Sequence, residues 1–97
     1  MATRKSVEEC LQHCEDALRL AQEQFVEANR QEHYHDLEYV EAQGLLETAV
    51  NEVLKLTESA NWQQKEQLHR MRLQLQSLQN EMILLNHDRP EKFTGGY

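Results

Sequence analysis

One apolar repeat, running from residue 7 to residue 60, constrains this chain more than any other feature. Stepping alternately by four and three residues from Val7 meets only two residues that are not largely apolar, Glu32 and His35. Such a repeat, sustained over this length, is typical of a helix that packs a narrow seam against other helices. With three glycines and one proline in 97 residues, the chain has too few turns for a sheet protein. We therefore predict an all-α fold. The apolar positions of the repeat, called the seam below, are Val7, Leu11, Cys14, Leu18, Ala21, Phe25, Ala28, Tyr39, Ala42, Leu46, Ala49, Val53, Leu56 and Ala60.

A second helix is predicted after a turn at residues 58–61. Asn61 and Gln64 have the spacing of a capping box, in which each side chain binds the backbone amide of the other residue. The three–four stepping then continues at Leu68, Met71, Leu75, Leu78, Met82 and Leu85. We expect a helix over about 62–87 that packs antiparallel on the first, as a coiled-coil-like helical hairpin. The expected layers pair Val53 with Leu68, Leu46 with Leu75, and Tyr39 with Met82.

The extent of the first helix depends on residues 29–36. Ser6 and Glu9 form a second capping box, which predicts a helix start at Ser6. Residues 29–36 are polar but contain neither glycine nor proline, and the seam keeps its phase through them. We therefore favour one straight helix over about 6–58, in a long hairpin that dimerises into a helical bundle. The alternative is a bend at 29–36 and a monomeric three-helix bundle, whose contacts are those of the dimer made within one chain.

The straight arrangement predicts a homodimer, because half of the long helix would otherwise expose its apolar seam. Two such helices would cross antiparallel near residue 32. Residues 1–88 would then form a single helical domain, and residues 89–97, with a proline and two glycines, a flexible tail. The predicted interface residues are Val7, Leu11, Leu18, Phe25, Glu32, His35 and Tyr39.

Some apolar residues lie off the seam and indicate further contacts. On the first helix they suggest a segment that touches two neighbours, and on the last helix they suggest a second contact surface. Trp62 is expected to cover the turn end of the hairpin, with an exposed anchor for a partner as the alternative. The off-seam residues are Val40, Leu45, Val50 and Leu54 on the first helix, and Leu73, Ile83 and Leu84 on the last.

Charge and hydropathy limit the classes of partner. The net charge is −7, and residues 6–58 hold thirteen acidic residues against three basic ones. Nucleic-acid binding needs a basic face, so we predict no nucleic-acid partner. The longest apolar run, residues 82–85, is too short to span a membrane. The first residues lack the apolar core of a signal peptide, so we expect a cytoplasmic protein. Cys10 and Cys14 are expected to be reduced core residues, since a bridge between them would strain a helix.

Glu32 and His35 are the one pair of residues whose types and spacing suggest a chemical function, the binding of a metal ion. A carboxylate and an imidazole three residues apart lie on one helical face, as ligands do in metal sites of helical bundles. The competing interpretation is a hydrogen-bonded polar layer that fixes helix register. Cys10, His13 and Cys14 also share a face, but three ligands on one turn leave a tetrahedral zinc site incomplete. No phosphate-binding loop or activated nucleophile is visible, so we predict neither catalysis nor a bound cofactor.

Two stretches of the sequence carry a resemblance to known proteins. The first consists of Gln31, Glu32, His33, Tyr34, His35, Asp36, Leu37, Glu38, Tyr39, Ala42 and Gln43, and the second of Asn61, Gln63, Gln64, Glu66, Gln67, Leu68, Arg70, Met71 and Arg72. These stretches resemble a family of short uncharacterised proteins from Bacillus-type Gram-positive bacteria. The resemblance covers most of residues 1–87 and leaves the tail unmatched. It implies a bacterial cytoplasmic protein, and it implies no functional residues because the family has no assigned activity.

These observations do not identify a biological function, but they favour one class of protein over another. The preferred hypothesis is a non-enzymatic helical scaffold or adaptor that associates with itself first and with an unidentified protein partner. The alternative is a small metal-binding or metal-sensing protein that uses Glu32 and His35. These two classes differ in whether the purified protein contains metal.

Overall fold

Three helices make up the part of the chain that the computed structural model describes, which is residues 2–31 and 37–87. α1 spans Arg4–Gln31, α2 spans Leu37–Thr57 and α3 spans Trp62–His87, with no strand among these residues. Each helix packs against both of the others, so the three form one bundle around a shared core. The all-α prediction is confirmed.

The straight helix over about 6–58 is not found. α1 ends at Gln31, α2 begins at Leu37, and the two pack against each other within one chain. The backbone amide of Ala2 donates to the carbonyl of Ser59 at 3.1 Å, which holds the start of α1 beside the end of α2. The longest dimension of the molecule is 50 Å, whereas one straight helix over residues 6–58 would be about 80 Å long. The architecture is the three-helix alternative, because closing the bundle buries the first half of the seam without a second chain.

The start of α1 also differs from the prediction. The hydroxyl oxygen of Thr3 accepts a hydrogen bond from the backbone amide of Ser6 at 2.9 Å, so Thr3 caps the helix and Ser6 lies inside it. The helix therefore begins at Arg4, and its first turn contains no acidic residue. The prediction that Ser6 and Glu9 form a capping box is wrong, because the hydroxyl group of Thr3 accepts the capping hydrogen bond three residues earlier.

The cap of α3 forms as predicted. The backbone amide of Gln64 donates to Oδ1 of Asn61 at 2.8 Å, and the amide of Asn61 donates to Oε1 of Gln64 at 2.9 Å. Both bonds satisfy amides that have no partner inside the helix. This reciprocal pair sets the start of α3 at Trp62, as expected from the sequence.

The core consists largely of the seam residues. Of the described seam positions, Leu11, Leu18, Phe25, Leu56 and Ala60 are half-buried, and the rest are buried. The phenol of Tyr39, itself fully buried, donates to the carbonyl oxygen of Met82 at 2.8 Å. This bond confirms the predicted layer of Tyr39 with Met82 and fixes the antiparallel register of α2 and α3. On α1 and α2, three residues off the seam, Cys10, Ala17 and Val50, are buried as well, and α3 adds the predicted positions Leu68, Met71, Leu75, Leu78 and Met82.

Candidate functional site

Cys10 and Cys14 lie one turn apart on α1 and face the core. Both are buried free thiols, as predicted, and Cys14 has no exposed surface. Burial disfavours the charged thiolate and raises the pKa of Cys14 to about 12, with smaller contributions from Cys10 and from the carboxylates of Glu52 and Glu15. Burial likewise raises the pKa of Cys10, although a hydrogen bond with Cys14 opposes the rise. Since the thiolate is the nucleophile and the metal ligand, burial makes both thiols poorer nucleophiles and ligands than an exposed cysteine.

The predicted metal ligands receive no support from the described part of the chain. Glu32 and His35 lie outside the described residues, so their proposed role stays a prediction. His13 is exposed, whereas Cys10 and Cys14 point into the core. Among residues 2–31 and 37–87, no group of three or more His, Cys, Asp or Glu side chains is placed to hold a metal ion.

Among the residues predicted to form a dimer interface, the five that the structure describes take part in the packing of a single chain. Val7 and Tyr39 are buried in the bundle. Leu11, Leu18 and Phe25 pack against the same core but remain half-exposed. Leu11 and Leu18 line an open groove between α1 and α3, in two successive depressions of about 430 and 380 Å³. The seam therefore closes within the chain and leaves part of α1 uncovered.

A surface of α2, opposite the core, combines apolar and small side chains with acidic neighbours. Leu37 is 71% exposed and Val40 is 49% exposed, and Gly44 and Asn51 follow on the same side at helical spacing. Acidic residues border this strip, and Lys55 is the one basic residue of α2. We call this surface the acidic outer face of α2, and its residues are Leu37, Val40, Gly44, Thr48 and Asn51, bordered by Glu41, Glu47 and Glu52.

A surface of α3, opposite the core, combines exposed apolar side chains with a small excess of basic neighbours. Trp62, Leu73 and Leu84 follow one another at intervals of three helical turns and are 80%, 51% and 57% exposed. Basic residues border this strip along the first half of the helix. We call this surface the outer face of α3, and its residues are Trp62, Glu66, His69, Leu73, Asn80 and Leu84, bordered by Lys65, Arg70 and Arg72.

These exposed positions decide several sequence expectations. Trp62 is exposed, so the prediction that it covers the turn end of the hairpin is wrong. Leu73, Ile83 and Leu84 are exposed, which leaves α3 with an uncovered apolar surface. Of the extra apolar residues on α2, Val50 is buried, while Val40, Leu45 and Leu54 are exposed. Leu20 and Val26 on α1, which lie off the seam and were not predicted to form a surface, are exposed as well.

None of α1, α2 and α3 contains a stretch that is long and apolar enough to cross a bilayer.

Comparison with known proteins places the chain beside proteins of unknown function. The profile of one family, described as "Protein of unknown function (DUF2524)", matches residues 1–84. A relative from Bacillus subtilis (strain 168), "Uncharacterized protein YtzC", is 62% identical over 84 residues, which cover 87% of this chain and 93% of the relative. These findings confirm the resemblance to uncharacterised proteins of Bacillus-type bacteria. No solved structure matches the chain.

Proposed function

The chain belongs to the DUF2524 family, and from that premise we propose that it is a non-enzymatic helical adaptor that acts by binding other proteins, a second copy of itself first. The observation that supports this proposal is the number of large apolar side chains on the outside of the bundle. Small soluble domains rarely leave so much apolar surface uncovered unless a partner binds it. The exposed residues are Leu20, Val26, Leu37, Val40, Leu45, Leu54, Trp62, Leu73, Ile83 and Leu84.

The arrangement of these residues also favours binding through helix faces. Trp62 and Leu73 are exposed on one side of α3, where a partner helix would reach both. Tryptophan contributes more than most residues to the binding energy of protein interfaces, since it combines a large apolar ring with a hydrogen-bond donor. We therefore place the primary binding surface on the outside of α2 and α3.

Self-association through the seam is a second arrangement within the same proposal. If α1 were exchanged between two chains, Val7, Leu11, Leu18, Phe25 and Tyr39 would make their present contacts with the second copy. The exchanged chains would cross near Glu32 and His35. This domain-swapped homodimer has the contacts of the closed bundle, so the two forms differ in which chain supplies α1.

Affinity purification tests the adaptor function. The wild-type chain, a Trp62→Gln/Leu73→Gln variant and a Glu23→Gln control are each immobilised and exposed to a Bacillus subtilis lysate. Glu23 is exposed on α1, away from the proposed surface, so its replacement should leave binding unchanged. We expect the wild type and the control to retain the same proteins and the double variant to lose them. Retention of those proteins by all three chains would exclude this surface.

Metal analysis tests the alternative function. Elemental analysis of the chain, purified without an affinity tag, should find no stoichiometric metal if the protein is an adaptor. One metal ion per chain or per dimer, lost when Glu32→Gln and His35→Ala are introduced, would overturn the adaptor proposal in favour of metal binding.

A further inference from the structure

The side of the bundle that α2 and α3 share follows from the contacts of each helix with α1. Glu52 of α2 lies close enough to Cys10 and Cys14 to raise the pKa of both thiols, so the flank of α2 that carries Glu52 faces α1. Glu81 of α3 lines the same depression as Leu18 of α1, so the flank of α3 that carries Glu81 faces α1 as well. Because α2 and α3 also contact each other, their opposite flanks border one common side of the molecule.

This common side is partly apolar. Val40 and Leu54 lie on the flank of α2 away from Glu52 and are 49% and 42% exposed. Ile83 lies on the flank of α3 away from Glu81 and is 39% exposed. Large apolar side chains at such positions suit a protein partner. We call this surface the α2–α3 side, and its residues are Val40, Glu47, Leu54, His69, Arg72 and Ile83.

Two charged side chains without an ion pair lie among these apolar residues. Glu47 is on α2 between Val40 and Leu54, and Arg72 is on α3. Neither forms an ion pair with any residue that the structure describes, and Arg72 instead contacts Nδ1 of His69 at 3.1 Å. The α2–α3 side therefore presents an acidic group on one helix and a basic group on the other, so it is complementary in charge to a second copy of itself.

We propose that the α2–α3 side binds the same side of a second copy of this chain, with α2 of each copy packed on α3 of the other. This inference rests on the proposed function, because it names the surface through which the adaptor binds itself. The charges select this pairing, since α2 carries four glutamates against one lysine and would repel α2 of the second copy.

One two-fold axis generates both contacts. An axis that runs parallel to the helices, just outside the α2–α3 side, places α2 of the second copy opposite α3 of the first and α3 of the second copy opposite α2 of the first. Rotation about this axis moves neither copy along it, so every residue keeps its level. Four helices then surround the axis as in a four-helix bundle, and α1 of each copy lies outside them. Because the same side is used by both copies, the assembly ends at two.

The register of the apolar contacts follows from the bundle. The bond from Tyr39 to Met82 sets the levels of α2 and α3 within one chain, and Val40 and Ile83 directly follow those two residues. Val40 of one copy therefore lies beside Ile83 of the other, within about 3 Å along the axis. The two copies thus cover each other's exposed apolar side chains at this end of the contact.

The charged pair lies nearer the middle of the contact. Counted from the same bond, at about 1.5 Å per residue, the levels of Glu47 and Arg72 differ by about 3 Å, so each Glu47 can pair with Arg72 of the second copy. α2 is about 31 Å long and two adjacent helices are about 20 Å wide, so the contact covers about 600 Å² of each copy. An interface of this size is at the lower end for specific complexes, so we expect a weak dimer.

Removal of the apolar contacts tests the proposal. The wild type, Val40→Gln/Ile83→Gln and a Leu20→Gln/Leu45→Gln control are compared by sedimentation equilibrium, against a monomer mass of 11.5 kDa. Leu20 lies on α1 and Leu45 on the flank of α2 that faces α1, and each is 45% exposed, so the control removes apolar side chains outside the contact. We expect the dissociation constant of the first variant to rise by at least about tenfold and that of the control to match the wild type.

Cross-linking tests which residues meet. Val40→Cys and Ile83→Cys are placed in separate chains that also carry Cys10→Ala and Cys14→Ala, so that any disulfide joins two copies. An equal mixture of the two chains should cross-link on mild oxidation, whereas each chain alone should not. A chain with Leu45→Cys in place of Val40→Cys is the matched control and should not cross-link with Ile83→Cys.

The outcomes separate this proposal from the proposed function. Circular dichroism melts first establish that each variant folds like the wild type. If the wild type and Val40→Gln/Ile83→Gln dimerise equally well, or if Val40→Cys cross-links with itself, this pairing is wrong while self-association stands. If the wild type sediments as a monomer at millimolar concentration, this pairing is wrong, and the adaptor function is judged by the lysate experiment alone. Loss of the dimer in Val40→Gln/Ile83→Gln but not in the control, with cross-linking in the mixture only, would establish the pairing.

Discussion

At the scale of a single residue, Gly44 is a glycine that packing within the chain does not explain. It lies inside α2 with open space around the position of a Cβ atom. Gly44→Ala should therefore stabilise the isolated chain by about 0.5–1 kcal/mol, because alanine loses less backbone entropy on folding into a helix. Urea denaturation at low protein concentration measures this gain. Thr48→Ala, on the same exposed face, is the matched control and should change stability less. A loss of stability on Gly44→Ala would show that the added methyl group meets a neighbour.

Because of Cys14, the free energy of unfolding of the bundle should fall at alkaline pH. Its thiol has a folded-state pKa of about 12 against an ordinary value of 9.0, because burial disfavours the thiolate. A raised folded-state pKa contributes stability that is fully present below pH 9 and is lost as the pH rises towards 12. We expect the free energy of unfolding to fall above pH 9 with a slope approaching about 1.4 kcal/mol per pH unit.

The Cys14→Ala variant isolates this effect. Both chains compared carry Cys10→Ala, because Cys10 shares a hydrogen bond with Cys14, so the difference between their pH dependences belongs to Cys14. Urea denaturation at several values between pH 8 and pH 10.5 should show a shallower decline for the variant. Parallel declines would mean that the thiol ionises in the folded chain as readily as in the unfolded one.

At the scale of a helix, the residue that caps α1 in the structure differs from the one predicted from the sequence. The amide of Ser6 donates to the Thr3 hydroxyl, so Thr3→Ala should remove a cap worth about 1 kcal/mol. Ser6→Ala should cost less, because Ser6 lies inside the first turn of the helix. Thermal melts of the two variants measure the difference. A larger loss for Ser6→Ala would return the helix start to Ser6.

The helices also show which parts of the fold the sequence could predict. The burial of the seam and the layer of Tyr39 with Met82 follow from the periodicity, since a narrow apolar strip has to face other helices. The start of α3 follows from Asn61 and Gln64, whose side chains accept hydrogen bonds from each other's backbone amides. The sequence could not decide between two caps at the start of α1, because the hydroxyl groups of Thr3 and Ser6 can each accept a hydrogen bond from a backbone amide three residues later.

The separation of α1 from α2 escaped prediction for a different reason. Periodicity records which side chains are buried, and a closed bundle buries the same ones as two straight helices that cross. No glycine or proline near residues 29–36 distinguishes the two arrangements. The site at Glu32 and His35 stays a prediction, since both lie outside the described residues. The exposed faces of α2 and α3 became recognisable only once the bundle showed which off-seam residues it leaves uncovered.

At the scale of the whole molecule, the bundle buries an apolar core within one chain and leaves large apolar side chains exposed on its outside. Fully buried residues from all three helices, among them Cys14, Leu46 and Leu75, give the closed chain an apolar interior of its own. Association through outer faces leaves that interior intact, whereas exchange of α1 rebuilds it between two chains. These two forms of self-association therefore predict different distances within one chain.

The distance between positions 9 and 55 distinguishes the closed chain from the exchanged one. In the closed bundle both positions lie near the same end, where the bond from Ala2 to Ser59 joins α1 to the end of α2. Their separation is then limited by a cross-section of 26 × 15 Å. In one straight helix the same positions would be about 69 Å apart.

Pulsed electron paramagnetic resonance can measure this distance with spin labels on Glu9→Cys and Lys55→Cys, in a chain that also carries Cys10→Ala and Cys14→Ala. Diluting the labelled chain tenfold with unlabelled chain removes distances between copies. We expect the short distance to persist on dilution, because the closed bundle brings the two positions together within one chain. Labels on Lys65→Cys and Asn80→Cys give the matched control, since both lie in α3 and should remain about 22 Å apart in either arrangement. Replacement of the short distance by one near 69 Å on dilution would show that α1 is exchanged and that the chain is a domain-swapped dimer in solution.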